Sequence, residues 1–178
     1  MKVPKGIYKA KTKSPNNTWV RGHYIHNSRK DKIEKGLEHN IQLHTSSEII
    51  LPINIETLCH YTEITDRNDN FLCENDIVNF FGYIGIVTYS NGCFGIAFQD
   101  IIDWDELEQN IFKETGVHNP MHACMNDNFI SFWEIVSNFD YEENNIPSIC
   151  ILGNIFDNPE LLIKQNKYKN IKEFLEYE

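Results

Sequence analysis

The chain has 178 residues, with 16 basic against 26 acidic side chains and a formal net charge of −10. That length suits one domain or two small lobes, and it buries roughly two thirds of the surface the unfolded chain exposes. A hydrophobic fraction of 41% with 11 Phe, 8 Tyr and 3 Trp excludes a disordered or fibrous chain, and no apolar run approaches the ~20 residues of a bilayer-spanning helix.

The opening segment carries the lysines of a secretion signal without its apolar stretch, so a cytoplasmic protein with no membrane partner is expected. Loop signals at Lys13-Ser14-Pro15-Asn16-Asn17 lead into a strand expected over 18–26, then a polar turn or short irregular helix over 27–38. Extended pieces are expected over 41–44 and 48–51, and a strand over 55–64, where Thr, Tyr and Ile supply the β preference. Asn91-Gly92 predicts a two-residue hairpin loop, because both central positions of a type I′ turn need positive φ. Counting outward places Ser90 opposite Cys93, Tyr89 opposite Phe94, Val87 opposite Ile96 and Gly85 opposite Phe98. A type II′ turn at Gly82-Tyr83 adds a third antiparallel strand over 76–81. An acidic helix over 103–114 follows, capped by Asp103 with Glu106 three residues on, striped by Trp104, Leu107 and Ile111, and stopped at Gly116. Residues 117–128 read as loop, and 129–136 as either a buried strand or a short helix. A strand over 148–152 ends at Gly153, Asn158-Pro159-Glu160 starts a compact helix, and a last amphipathic helix begins near Tyr168, with Ile171, Phe174 and Leu175 inward. These elements predict a mainly β (α+β) fold: small, strongly bent antiparallel sheets, barrel-like, with peripheral helices. Three regions are expected: a basic β lobe over 1–55 packed on the rest, a β core over 56–163, and the C-terminal helix over 164–178.

Few constellations carry chemistry. Five cysteines, Cys59, Cys73, Cys93, Cys124 and Cys150, are odd in number and widely spaced, which fits free thiols better than a disulfide framework. His118, His122 and Cys124 come nearest to a metal cluster, but Pro120 interrupts the helix such spacing needs. His23 and His26 would point to opposite faces of their strand. Asp66 to Asn70 opens like a calcium loop, yet Phe71 and Ile77 stand where Gly and Glu belong, leaving a polar turn. Glu74 and Asp76 would share a strand face as paired carboxylates could, but nothing supplies a pocket for them. No metal, cofactor or catalytic residue is therefore expected.

Charge is the remaining signal. Residues 1–39 carry +7, residues 40–163 carry −18 and residues 164–178 carry +1. Lys9, Lys11, Lys13, Arg29 and Lys30, interleaved with Tyr8, Trp19 and Tyr24, form a stripe suited to a phosphate backbone with bases stacked on the aromatics. The same segment would also suit packing against the chain's own acidic body, or an ordinary solvated surface. Residues 99–160 hold thirteen carboxylates and only Lys113; Asp105, Glu106 and Glu108 could instead imitate a phosphate backbone and engage a nuclease or DNA-binding protein.

Several segments taken in order resemble the YopX family of phage and prophage proteins. Trp19 to Tyr24, with Gly22 between, is similar to that family's early tryptophan–glycine–tyrosine segment. Tyr61-Thr62 through Asp66 to Glu74-Asn75-Asp76-Ile77-Val78 resembles its central signature, with Asn75 where the family usually has glycine, and the hairpin around Asn91-Gly92 follows. Gly153-Asn154-Ile155-Phe156-Asp157-Asn158-Pro159-Glu160 resembles its closing motif. The resemblance covers about residues 15–163, and it implies a β-rich protein in the cytoplasm of a bacterial host cell, with no established activity, cofactor or catalytic residue. The expectation is a non-catalytic phage accessory protein that binds a host or phage macromolecule. A nucleic-acid-binding module and an acidic DNA mimic are the alternatives, and a homo-oligomer remains open.

Overall fold

The computed structural model describes residues 6–90, 92–99, 102–116, 128–139 and 148–163. The fold is mainly β, with antiparallel pairing throughout, and the chain divides into two compact units after Glu63. This division falls beyond the residue 55 expected from sequence, because β5 pairs with β1 and carries residues 59 and 60 into the first unit.

The first unit contains β1 (Ile7–Lys11), β2 (Trp19–His26), α1 (Lys30–Ile33), β3 (His39–Leu43), β4 (Ile50–Pro52), a 3-10 turn at Ile55–Thr57, and the start of β5 (Cys59–Thr65). Strand order is β4-β3-β2-β1-β5. β1 has no counterpart in the sequence reading, and the first residues of the strand expected over 55–64 form the 3-10 turn instead, whose preceding Asn54 side chain accepts from the Glu56 N–H. Side chains alternate across the sheet. Even-numbered Ala10 and odd-numbered Ile41 and Ile53 are fully buried on one face, joined by Tyr8, Val20, Tyr24, Leu43 and Leu58. Gly22 lies on this face opposite Leu43, and a Cβ there would fall 1.8 Å from the Gln42 carbonyl oxygen, so only glycine fits. Thr12 bridges to Ile53, and the Asn54 N–H donates to the Lys11 carbonyl, tying the chain just past β4 to the end of β1.

The second unit holds β6 (Phe71–Cys73), β7 (Asp76–Phe80), β8 (Tyr83–Ser90), β9 (Cys93–Phe98), α2 (Trp104–Thr115), β10 (Phe129–Ser131), α3 (Phe132–Phe139), β11 (Ile149–Asn154) and α4 (Glu160–Ile163). Its sheet runs β10-β9-β8-β7-β11. The β8–β9 hairpin has the expected register, from Ser90 opposite Cys93 to Gly85 opposite Phe98, which leaves a two-residue loop. Gly92 has φ +87, while Asn91 lies outside the described residues. The β7–β8 turn differs from expectation. Phe80 pairs with Tyr83, so the loop is Phe81-Gly82, with both φ values positive, 47 and 105. That is the type I′ pattern rather than type II′. Val78, Phe80, Val87, Ile96, Phe98 and Ile130 are buried on one sheet face and share a core with Leu107, Ile111, Phe132 and Ile135.

Two helix starts follow from side-chain chemistry. Asp103 caps α2 by accepting from the Glu106 N–H at 3.1 Å, and left-handed Gly116 ends that helix. The 129–136 segment is both a strand and a helix, and a capping box makes the change. Ser131 Oγ accepts from the Glu134 N–H, while the Glu134 carboxylate accepts from the Ser131 N–H and O–H. The predicted helix at Tyr168, Ile171, Phe174 and Leu175, all of the 117–128 loop but Asn128, and His118, His122 and Cys124 lie outside the described residues.

Candidate nucleic-acid interface

Antiparallel register decides which of the sequence-predicted residues meet. Lys9 lies opposite Arg21, Lys11 opposite Trp19 and Ile7 opposite His23. Because strand side chains alternate, these share the sheet face away from Ala10 and Ile41. Next along, His23 lies opposite Gln42, and the His44 N–H donates to the Arg21 carbonyl at 3.2 Å. The His23 and His44 rings meet edge to face at 6.2 Å. Arg21, His23 and His44 are exposed, Lys9 and Trp19 are half-buried, and Lys11 is 8% exposed. The Lys9 and Lys11 ammonium groups stand 5.3 and 5.4 Å from the centre of the Trp19 ring, where the ring's negative face attracts them.

Like charges directly across a strand pair destabilise the sheet. β1, β2 and β3 nevertheless hold Lys9 against Arg21 and contain no carboxylate in their own sequences.

The other predicted basic contacts are not part of this face. Arg29 Nε donates to Asp31 at 3.0 Å, and Lys30 faces Glu34 across one helical turn at 3.9 Å, so both lie beside carboxylates. Lys13 Nζ reaches the Gly36 carbonyl at 3.4 Å. The interleaved aromatics also separate. Trp19 stays with the lysines, whereas Tyr8 and Tyr24 turn to the core face. There Tyr8 stacks on His60 at 4.7 Å, and Tyr24 shares a 2.7 Å hydrogen bond with His39 Nδ1. Burial holds the Tyr24 phenol above its ordinary value, with the Glu38 charge and then Tyr8 adding to it. The Nε2 atoms of His26 and His39 lie 3.5 and 3.7 Å from Glu38 Oε1. Among the described residues, no three His, Cys, Asp or Glu side chains are placed to hold a metal ion. His23 and His26 do face opposite sides of β2, as their spacing requires. His44 was not singled out from sequence, since its place beside His23 depends on the β2–β3 register.

The motif residues of the second unit form a hydrogen-bonded framework. Asp66 is fully buried, and its carboxylate accepts from the backbone N–H groups of Asn68, Asn70 and Ile151. The Asp66 to Asn70 segment is thus a polar turn held by its own first carboxylate. Asp76 is 2% exposed; one oxygen accepts from the Cys73 N–H at 2.8 Å and the other from Asn154 Nδ2 at 3.0 Å. Glu74 lies in the preceding turn, half-buried, where Asn75 takes φ 69. The Asn75 N–H donates to the Val87 carbonyl, and the Asn75 carbonyl accepts from Ile155. The Asn158 side chain does not cap its own helix as expected. It turns back to accept from the Asn154 N–H at 3.3 Å, over Gly153, while Pro159 and Glu160 open α4. Tyr61 and Thr62 sit half-buried in β5.

The acidic side chains of α2 divide in a similar way. Asp105 is exposed, Glu108 is half-buried, and Glu106 accepts from the Tyr83 hydroxyl at 3.0 Å. Burial, then the Glu106 hydrogen bond and the Glu106 and Asp103 charges, raise the Tyr83 phenol well above its ordinary value. The described cysteines, Cys59, Cys73, Cys93 and Cys150, are free thiols. No protein-family model and no curated protein matches the chain.

Proposed function

We propose that this chain is a non-catalytic phage or prophage accessory protein that binds single-stranded nucleic acid through the β1–β2 face of its first unit. The observation that carries the reading is the cross-strand register setting Lys9 against Arg21 and Lys11 against Trp19. Cations spaced along a strand pair engage successive phosphates, and a sheet face bearing Trp19, His23 and His44 offers rings to unstacked bases. The resemblance to YopX proteins supports the phage setting and, with it, the cytoplasm of a bacterial host. A barrel-like curl of the first sheet belongs to the same proposal, supported by the Thr12–Ile53 bridge. The acidic-mimic reading has less support, because Glu106 is engaged with Tyr83.

The test is fluorescence anisotropy with a labelled single strand across a salt series. Neutralising Lys9 and Arg21 together to Gln should lower the slope of log K against log salt by about 1.4 and weaken binding about 20-fold at ~0.1 M salt. Lys30→Gln should bind as the parent does, because Lys30 faces Glu34. Undiminished binding by the Lys9/Arg21 double variant overturns the proposal.

A further inference from the structure

We infer that binding at this face is proton-linked, with His23 and His44 acting as a titrating pair that adds positive charge to the site as pH falls. The inference rests on the nucleic-acid reading proposed above and adds its regulation. Both imidazoles are exposed and meet edge to face at 6.2 Å. They stand at the exposed end of the same face as Arg21, to whose carbonyl the His44 backbone is bonded.

The groups around the pair make it respond to an anion. β1 contributes Lys9 and Lys11 to this face, and β2 contributes Arg21. β3 contributes only uncharged Asn40 and Gln42, and β4 contributes Ile50, which is exposed. The turn between β3 and β4 contributes Glu48, the single carboxylate from His39 to Pro52. A phosphate chain across the face attracts each positive charge added to it. Linkage then fixes the sign: a ligand that prefers the protonated pair binds more tightly as pH falls. His26, His39 and His60 belong to the opposite face of the sheet.

Two further charges correspond to a salt slope steeper by about 1.4, and to affinity higher on the order of 50-fold at ~50 mM salt. The experiment uses the full chain and an oligothymidylate of about 20 nucleotides, with a rhodamine label, because thymine does not titrate in this range. Affinity and salt slope are measured at pH about 5.5 and about 8, with circular dichroism confirming the fold at each. The expected result is tighter binding and a steeper slope at the lower pH in the parent, with both differences abolished in the His23→Gln/His44→Gln double variant. If that variant keeps the parent's ratio of affinities between the two pH values, or if the parent's binding is independent of pH, the inference is overturned and the nucleic-acid reading stands. If the parent binds no strand at either pH, the nucleic-acid reading fails and the inference fails with it.

Discussion

Replacing Asp76 by Ala should cost the second unit a large share of its stability, for a reason that can be worked from four atoms. Asp76 is 2% exposed, and its two oxygens take the Cys73 N–H at 2.8 Å and Asn154 Nδ2 at 3.0 Å. Alanine leaves both donors facing an apolar gap. An unsatisfied buried donor costs about 1–3 kcal/mol, so the two together cost about 2–6 kcal/mol, against ~5–15 kcal/mol for a whole domain. Asp76→Asn keeps one acceptor oxygen and sets an NH₂ group against the other donor, so it should fall between the parent and alanine. Asn154→Ala removes the same contact from the far side, along with the Phe156 N–H bond to Asn154 Oδ1.

Urea unfolding followed by circular dichroism gives the midpoint and slope for each variant, and the double variant closes a thermodynamic cycle. A coupling energy of about 1 kcal/mol or more between positions 76 and 154 is expected. Loss of less than ~0.5 kcal/mol on Asp76→Ala would match an ordinary surface substitution. Together with zero coupling to Asn154, it would refute the view that these motif residues serve the fold.

Ser131→Ala breaks the capping box at the start of α3, where Ser131 Oγ accepts from the Glu134 N–H at 3.1 Å; the expected loss is about 1 kcal/mol by the same unfolding assay. Tyr83 is held above its ordinary phenol value by burial and by Glu106 and Asp103, so the folded chain retains a proton that the unfolded chain releases first. The stability this gives is complete below pH about 10 and is lost as pH rises toward the folded value, so Tyr83→Phe should flatten the alkaline fall in unfolding midpoint, and an unchanged fall would count against it.

Local chemistry was legible in the sequence wherever one short segment determines its own geometry. Asn91-Gly92 gave the β8–β9 register to the residue, and Asp103 with Gly116 bracketed α2. The Phe81-Gly82 turn was misplaced by one residue because Phe at positive φ is rare outside a forced hairpin. The Ser131-Phe132-Trp133-Glu134 capping box was in plain view; the apolar run around it hid a strand turning directly into a helix. β1 was hidden for a different reason. Lys9 and Lys11 read as part of a charged arm, and the pairing with β2 that makes the segment a strand depends on contacts the local pattern does not contain. Asn158 was read as a helix cap because the residues after it suit a helix start, whereas its side chain serves Asn154 instead.

The basic segment illustrates why charge counted along a chain differs from charge on a surface. Paired positions in β1 and β2 sum to 30, from Ile7 with His23 to Lys11 with Trp19, so odd residues face odd residues. Odd positions carry Lys9, Lys11, Trp19, Arg21 and His23, with buried Ile7 beside them; even positions carry Tyr8, Ala10, Val20, Gly22 and Tyr24, most of which join the core. One strand pair therefore supplies both a core and a cationic face. Their separation depends on the turn between the strands, closed by the Thr12 N–H to the Thr18 carbonyl and by Asn17 at φ 45. A slip of one residue in that turn would oppose Lys9 to Val20 or Gly22 and send one strand's core side chains to the other face. The net +7 of the segment would be unchanged by such a slip, and the paired cations of the proposed site would be gone. The register, and not the total charge, is what makes this segment a candidate interface.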